Sequence, residues 1–240
     1  MNPSITFNGV SSEAMGVIVT ELPTWHRAQR RISETAIPGR SGAIVQDEGG
    51  YDLYTATLRI NCNGADPRDV YAWLRGEGWM ISSDEPGYKA YVYIYGQIDA
   101  NRMRVGGDCY DNLNVGLRVE PYLREVDEAA LTFTGADTFA GKGHDDSAPL
   151  LEISGTGDPI LMVNGATVYL YGLETGAPLY LDAEAGLAYT LEDGAPVFAG
   201  TRVGLEEGEW PYLLPEGGTN LINWTGSITQ VVIRPNWRYL

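Results

Sequence analysis

The sequence predicts an all-β protein, mostly strand with one short helix, folded as two β-sandwich domains. Glycine and tyrosine are frequent, with 30 and 15 of 240 residues, as expected where many strands are joined by tight turns. Apolar and polar residues alternate with period two in several segments, and one segment has helical spacing. A chain of this length can bury sizeable cores without a metal or disulfides.

Three segments of the first half have the patterns of strands. Segments 54–62 (YTATLRINC) and 112–120 (NLNVGLRVE) alternate apolar with polar residues, so each is predicted to bury one face. Segment 89–96 (KAYVYIYG) is apolar on both faces, with three tyrosines on one of them. That pattern suits a sandwich interior or a contact between subunits.

A short amphipathic helix is predicted in segment 66–78 (DPRDVYAWLRGEG). Asp66 is a suitable N-cap, and Pro67 stands where its missing N–H costs nothing. The helix is expected to end at Gly76 or Gly78. Its apolar face is formed by Val70, Trp73 and Leu74.

The composition changes in segment 133–149 (FTGADTFAGKGHDDSAP), which has few large apolar residues and many Gly, Asp, Ser and Thr. We therefore place a domain boundary there, with one domain at 1–140 and the other at 146–240. Seven short strand-like segments separated by turn residues follow the boundary, which predicts a second β-sandwich.

The net charge of the chain argues against a nucleic-acid partner. Thirty-two acidic residues against 16 basic ones give a formal net charge of −16, whereas phosphate binding needs clustered cations. A local basic patch of Arg27, Arg30 and Arg31 stands out, and we expect it to pair with an acidic neighbour.

The two cysteines, Cys62 and Cys109, lie in strand-like segments far apart in sequence. One bridge between them is conceivable, but two buried thiols in a reducing cytosol is the preferred prediction. The N-terminal segment lacks the features of a secretion signal, and no stretch is long and apolar enough for a membrane span.

No catalytic, cofactor-binding or metal-binding residue is predicted. His26 and His144 stand in no metal-ligand spacing or triad context, and the HExxH, GxSxG, CxxC and P-loop motifs are absent. A glycoside hydrolase needs two carboxylates across a cleft, but the carboxylate pairs here are adjacent in the chain and are interpreted as turn residues. These pairs are Asp84 with Glu85, Asp145 with Asp146, and Glu206 with Glu207.

Sugar binding remains an alternative function from a different class. Trp210, Trp224 and Trp237 lie in the second predicted domain, and exposed aromatic rings on a β-sandwich can stack on sugars. The alternative protein is a soluble two-sandwich carbohydrate-binding protein.

An ordered set of motifs resembles the distal tail protein of siphovirus-type bacteriophages over nearly the whole chain. The set comprises ITFNGVSSEAMGVIV, IPGRSGAIVQDEGGYDLYTATLRI, WLRGEGWMISSDEPGYKAYVY, LRVEPYLRE, GDPILMVNG and TNLINWTGSITQVVIRPNWRYL. The resemblance implies an N-terminal sandwich with a protruding hairpin, related to the tail-tube fold. It also implies a C-terminal sandwich that is galectin-like or similar to a carbohydrate-binding module.

The function that the resemblance implies is structural rather than enzymatic. Members of this family form a homohexameric ring that joins the tail-tube protein to the tail-associated tip protein and, in many phages, to receptor-binding proteins. The protein would then reside in the virion at the tail tip after synthesis in the host bacterial cytoplasm. It would need no cofactor and would contact neither nucleic acid nor membrane directly.

Two sets of residues are candidates for the subunit interface. The glycines of segment 37–51 (IPGRSGAIVQDEGGY) fit a hairpin turn better than an anion cradle, because strand-like segments flank them. In the family this region is part of the arm that reaches a neighbouring subunit. We therefore expect Arg40 to lie at or near the interface, and Arg40→Glu to weaken ring closure. The full candidate set is Pro38, Gly39, Arg40, Tyr91, Tyr93 and Tyr95.

Overall fold

The computed structural model describes residues 2–39, 41–62, 65–105 and 108–240, with backbone alone at 103–105 and 108–110. Antiparallel strands dominate the chain, which confirms the all-β prediction with two β-sandwich units. One compact unit ends at Val126 and the other comprises Asp127–Tyr239.

The N-terminal unit is built on one eight-stranded sheet and one separate hairpin. Its elements are β1 (Ile5–Phe7), β2 (Val10–Ser11), β3 (Ile18–Glu21), β4 (Arg30–Ala36), β5 (Ala43–Tyr51), β6 (Tyr54–Cys62), α1 (Pro67–Trp73), β7 (Gly76–Ser82), β8 (Tyr88–Ile94), β9 (Asp99–Val105) and β10 (Asp108–Glu125). The sheet has the order β2-β1-β7-β8-β10-β6-β3, and β9 pairs with β10. Strands β4 and β5 pair with each other.

The core of this unit follows from the predicted alternation. In β6, Leu58 and Ile60 are fully buried, and they pair with Val115 and Leu113 of β10, which are buried equally well. Both half-buried strands are thus confirmed. In β8, Ala90, Val92 and Ile94 face the core, so Tyr91 and Tyr93 lie on the outer face.

Helix α1 has the predicted cap but is shorter than predicted. The Asp66 side chain accepts a hydrogen bond of 2.9 Å from the backbone N–H of Arg68, which satisfies one free donor of the first turn. Val70 and Leu74 are buried in the core. The helix ends at Trp73 because Leu74 leaves the helical conformation, and Gly76 already begins β7.

The C-terminal unit is built on a nine-stranded sheet. Its strands are β11 (Leu131–Phe133), β12 (Asp137–Ala140), β13 (Leu150–Val163), β14 (Ala166–Leu170), β15 (Leu179–Asp182), β16 (Leu187–Glu192), β17 (Ala195–Phe198), β18 (Val203–Leu205) and β19 (Thr219–Arg234). The order is β11-β19-β13-β15-β16-β17, while β12 pairs with β19, and β14 pairs with β13 and β18.

Two long strands replace four of the predicted short ones. Strands β13 and β19 pair along nearly their whole length, with register shifts near Gly155 and between Thr156 and Ile160. A Cβ on Gly155 would lie 2.5 Å from the carbonyl oxygen of Ser227. The glycine therefore serves close backbone approach at a bulge rather than a turn between strands.

The division between the units falls earlier than the sequence-based boundary at 140–146. Strands β11 and β12 both hydrogen-bond to β19, so residues 131–140 belong to the C-terminal unit. The Glu128 carboxylate also accepts hydrogen bonds of 2.8 and 2.7 Å from the backbone N–H groups of Asn236 and Trp237. These contacts join residues about 100 positions apart, which a local change of composition cannot reveal.

Candidate functional site

The β4–β5 hairpin is separate from the eight-stranded sheet and largely exposed to solvent. All its strand residues are exposed except the half-buried Ser33 and the buried Tyr51. Among them, Ile32, Ile44 and Val45 are 44%, 55% and 58% exposed. A lone two-stranded hairpin is at best marginally stable in water. Exposed aliphatic side chains on such an element make it a candidate contact surface.

Ion pairs at the hairpin base account for most of the predicted basic patch. Arg30 Nε lies 2.6 Å from Asp47 Oδ2, and Arg31 Nε lies 3.5 Å from Asp52 Oδ1. The Asp47 carboxylate raises the pKa of Arg30 above its ordinary value. The first pair joins β4 to β5, and the second joins β4 to the residue that follows β5. Because both pairs are exposed to solvent, they contribute little to stability.

The predicted tip residues lie at the far end of this hairpin. Pro38 and Gly39 are both exposed, and Gly39 has a φ of +80°, which residues other than glycine rarely adopt. Arg40 lies outside the described residues. The turn interpretation of segment 37–51 agrees with the two flanking strands, and a role of the tip in a subunit contact stays a prediction.

The three predicted tyrosines form a row on the outer face of the eight-stranded sheet. Ring centroids are 5.5 Å apart between Tyr91 and Tyr93, and 6.2 Å apart between Tyr93 and Tyr95. Trp79 of β7 extends the row, with its ring 5.1 Å from Tyr91, and Lys89 Nζ lies 5.0 Å from the Trp79 ring. We call Trp79, Tyr91, Tyr93 and Tyr95 the aromatic row.

Carboxylates hold the hydroxyl groups of the aromatic row. Tyr93 Oη donates to Glu120 Oε1, and Tyr95 Oη donates to Glu77 Oε2 at 2.8 Å. The hydrogen bond to Glu120 raises the pKa of Tyr93 to about 12, and the bond to Glu77 raises that of Tyr95. Both phenols are therefore protonated donors at neutral pH.

The aromatic row suits protein contact better than chemistry. Tyr95 is 70% exposed and Trp79 is 37% exposed, and such rings offer large apolar area with a polar rim. The sequence singled out the tyrosines through their period-two spacing. It missed Trp79, Glu77 and Glu120, because their places in the row depend on the register between strands.

The candidate catalytic groups of the sequence are dispersed. His26 and His144 are exposed, and each contacts one tyrosine ring, Tyr54 and Tyr239 respectively. The predicted carboxylate pairs lie in turns, loops or a single 3-10 turn. Within the described ranges, no group of three or more His, Cys, Asp or Glu side chains could hold a metal ion. The same ranges contain no helix with the length and apolar character needed to cross a membrane.

The three tryptophans of the sugar-binding alternative do not form an exposed platform. Trp237 is only 3% exposed in the core, and Trp210 and Trp224 pack against that core partly buried. The sugar-binding alternative therefore lacks the exposed tryptophan platform that it requires.

Cys62 is a buried free thiol at the end of β6. Burial raises its pKa above the ordinary value, so the thiol stays protonated at neutral pH. The side chain of Cys109 lies outside the described atoms, and a reduced state for both cysteines stays a prediction.

Comparison with known proteins gives relatives by structure only. Neither a protein-family model nor a curated protein matches the sequence. The Dit protein of phage SPP1, described as a paradigm of the hub adsorption apparatus in phages that infect Gram-positive bacteria, matches with a TM-score of 0.72 and 15% identity. The baseplate of phage P2, in its activated conformation with Ca, matches with a TM-score of 0.54 and 7% identity. Both matches cover 100% of both chains. The chain therefore shares the fold of this Dit protein over the whole matched length, which is the fold that the resemblance of its sequence motifs implied.

Proposed function

We propose that this protein is a structural subunit of a bacteriophage or prophage tail tip. Six copies would form a hub ring that joins the tail tube to the tail-associated tip protein and the receptor-binding apparatus. The observation that carries this proposal is the end-to-end fold match with a phage hub protein. Residence in the virion and synthesis in the host bacterial cytoplasm follow from the proposal.

The β4–β5 hairpin supports a role in assembly. Its Ile44 and Val45 are more than half exposed, and the hairpin pairs with no other strand among the described residues. In a closed ring every subunit has two neighbours through one repeated contact. An arm that reaches the next subunit is therefore covered in every copy, and no subunit is left with an uncovered arm. The hairpin is the element best suited to be that arm.

The aromatic row supports the proposal independently. The hydroxyls of Tyr93 and Tyr95 already have carboxylate acceptors, so a partner can cover these two rings without leaving the donors unsatisfied. Subunit contacts are rich in such aromatic side chains. We assign Pro38, Gly39, Arg40, Tyr91, Tyr93 and Tyr95 to the subunit interface as part of this proposal.

The proposed function requires no catalytic step and no nucleic-acid contact. The formal net charge of −16 disfavours phosphate binding. An acidic or neutral lumen would let DNA pass through a ring without holding it.

The test is the double variant Ile44→Asp with Val45→Asp. Burying the exposed half of each side chain stabilises a contact by about 1 kcal/mol, and a carboxylate placed there adds a desolvation cost. We expect the wild type to form a ring of six times 26.2 kDa, and the variant to be monomeric at the same concentration in native mass spectrometry.

The matched control is Leu221→Asp, because Leu221 is an equally exposed aliphatic residue (50%) in the C-terminal unit. It should leave the ring intact, and circular dichroism should show both variants folded. Rings of wild-type stability in the double variant would refute the role of the hairpin. A monomeric wild type that binds sugars on a glycan array would instead favour the carbohydrate-binding alternative.

A further inference from the structure

An open apolar groove lies at one end of the nine-stranded sheet, where the β16–β17 hairpin forms the sheet edge. We call it the edge groove, and it has a volume of about 530 Å³. Its lining residues are Leu187, Tyr189, Leu191, Pro196 and Phe198. It differs from the candidate interface in belonging to the C-terminal unit.

The edge groove is exposed and preformed. Phe198 is 74% exposed and Leu191 is 46% exposed, although large apolar residues at a sheet edge invite unwanted association. The Asp193-Gly194 turn that joins the two strands has φ values of 50° and 80°, which fit a tight type I′ turn. Such a turn fixes the positions of the lining residues on both strands.

Two of the lining rings are held by neighbouring residues. Tyr189 stacks on Tyr180 with a centroid distance of 5.1 Å and an interplanar angle of 7°. The Phe198 ring lies against Gly200, where an added Cβ would come within 2.3 Å of the ring. The absence of a side chain at Gly200 thus sets the position of the most exposed ring.

Acidic residues near the groove favour a cationic partner. Asp182 pairs with Leu187 in register, and Glu192 and Asp193 lie at the hairpin turn. The unit 127–239 contains 16 acidic residues and only 4 basic ones. A second copy of this acidic unit would be repelled, whereas a cationic segment would be attracted.

The groove favours side-chain insertion over strand addition. Pro196 stands in the middle of the edge strand and lacks a backbone N–H, so an added strand would miss one hydrogen bond of the ladder. A large apolar side chain can fill the groove without that bond.

We propose that the edge groove docks a segment of another tail-tip protein, with a large apolar side chain inserted between flanking lysine or arginine residues. The partner identity rests on the proposed function, while the chemistry of the segment follows from the groove itself. The contact would place a peripheral protein on the C-terminal unit.

The test uses two labelled peptides in fluorescence anisotropy with the full-length protein, GRRLFLRRG and GEELFLEEG. We expect the cationic peptide to bind at least tenfold more tightly than the acidic one. Phe198→Ser should weaken binding of the cationic peptide at least tenfold. Gly200→Ala, which displaces the ring without removing it, should weaken it several-fold.

The control variant is Leu221→Ser, since it removes a half-exposed aliphatic side chain from the same unit without changing the charge. It should bind the cationic peptide like the wild type. Equal binding of the two peptides, or unchanged binding in Phe198→Ser, would overturn the proposal. So would wild-type self-association that Phe198→Ser abolishes, because a second copy would then occupy the groove.

Native mass spectrometry of the same samples separates this proposal from the ring. A monomeric wild type that still binds the cationic peptide through Phe198 would refute the ring and retain the groove. An intact ring that binds neither peptide would refute the groove and retain the ring.

Discussion

Replacing Asn220 by alanine should destabilise the C-terminal unit severely. Asn220 is fully buried at the start of β19. Its Oδ1 accepts from Asn164 Nδ2 at 2.7 Å and from the Leu214 N–H at 2.8 Å, and its Nδ2 donates to the Leu214 carbonyl at 3.3 Å. One side chain thus holds both the β13–β14 turn and the segment that precedes β19.

The expected loss follows from these three hydrogen bonds. Each contributes about 1 kcal/mol net, and the partners left without a bond in a buried site add a desolvation cost of about 1 kcal/mol or more. We expect a decrease of about 3 to 4 kcal/mol in the free energy of unfolding, a large part of the ~5–15 kcal/mol of a typical domain.

The assay is urea unfolding followed by tryptophan fluorescence, with hydrogen exchange to assign the transition to residues 127–239. Asn223→Ala is the matched control, because the described hydrogen bond of Asn223 is to the adjacent Trp224 N–H. It should cost less than about 1 kcal/mol. Equal losses in the two variants would refute the reasoning that the buried amide network stabilises this unit.

Two further predictions concern charged groups. Glu128→Ala removes two charge-assisted hydrogen bonds to backbone N–H groups. It should lower the free energy of unfolding by about 2 to 3 kcal/mol and speed hydrogen exchange at Asn236 and Trp237. Exchange of these two amides at wild-type rates would contradict the prediction. Arg102 holds both oxygens of Asp111, at 2.8 and 2.9 Å, and this hydrogen bonding lowers the pKa of Asp111 below its ordinary value. The stabilisation is therefore present above the unfolded-state pKa of about 4 and lost as the pH falls through the folded-state pKa. Asp111→Asn should flatten the acid side of the curve of unfolding free energy against pH. Parallel curves for the variant and the wild type would count against this prediction.

Local signals were sufficient for several elements of the fold. Strand β6 has the predicted bounds because its alternation meets a core on one side only. The cap of α1 needed only Asp66 and the next two residues. Such features depend on neighbours in the chain, which the sequence displays directly.

Features that depend on distant neighbours were missed or misplaced. The sequence predicts short strands separated by turns in this unit, but Gly155 and Gly226 lie inside the β13–β19 ribbon, where the backbones come close. A glycine at a bulge and a glycine at a turn look alike in sequence. The start of the C-terminal unit also depends on distant neighbours, because β11 and β12 are short and, in the described part of the chain, pair only with β19.

The candidate site shows the same contrast. The spacing of Tyr91, Tyr93 and Tyr95 placed them on one face, and the structure shows that row. The edge groove was not predicted, since Leu191 and Phe198 become neighbours only through the hairpin register. In each of the two short strands, apolar lining residues alternate with other residues. This alternation does not distinguish an exposed face from a buried one.

The most direct test of the central claim is the native mass of the wild-type protein across a range of concentrations. The proposed hub ring predicts a closed species of six chains of 26.2 kDa each, with a central opening in negative-stain images. A protein that stays monomeric at every concentration would contradict it.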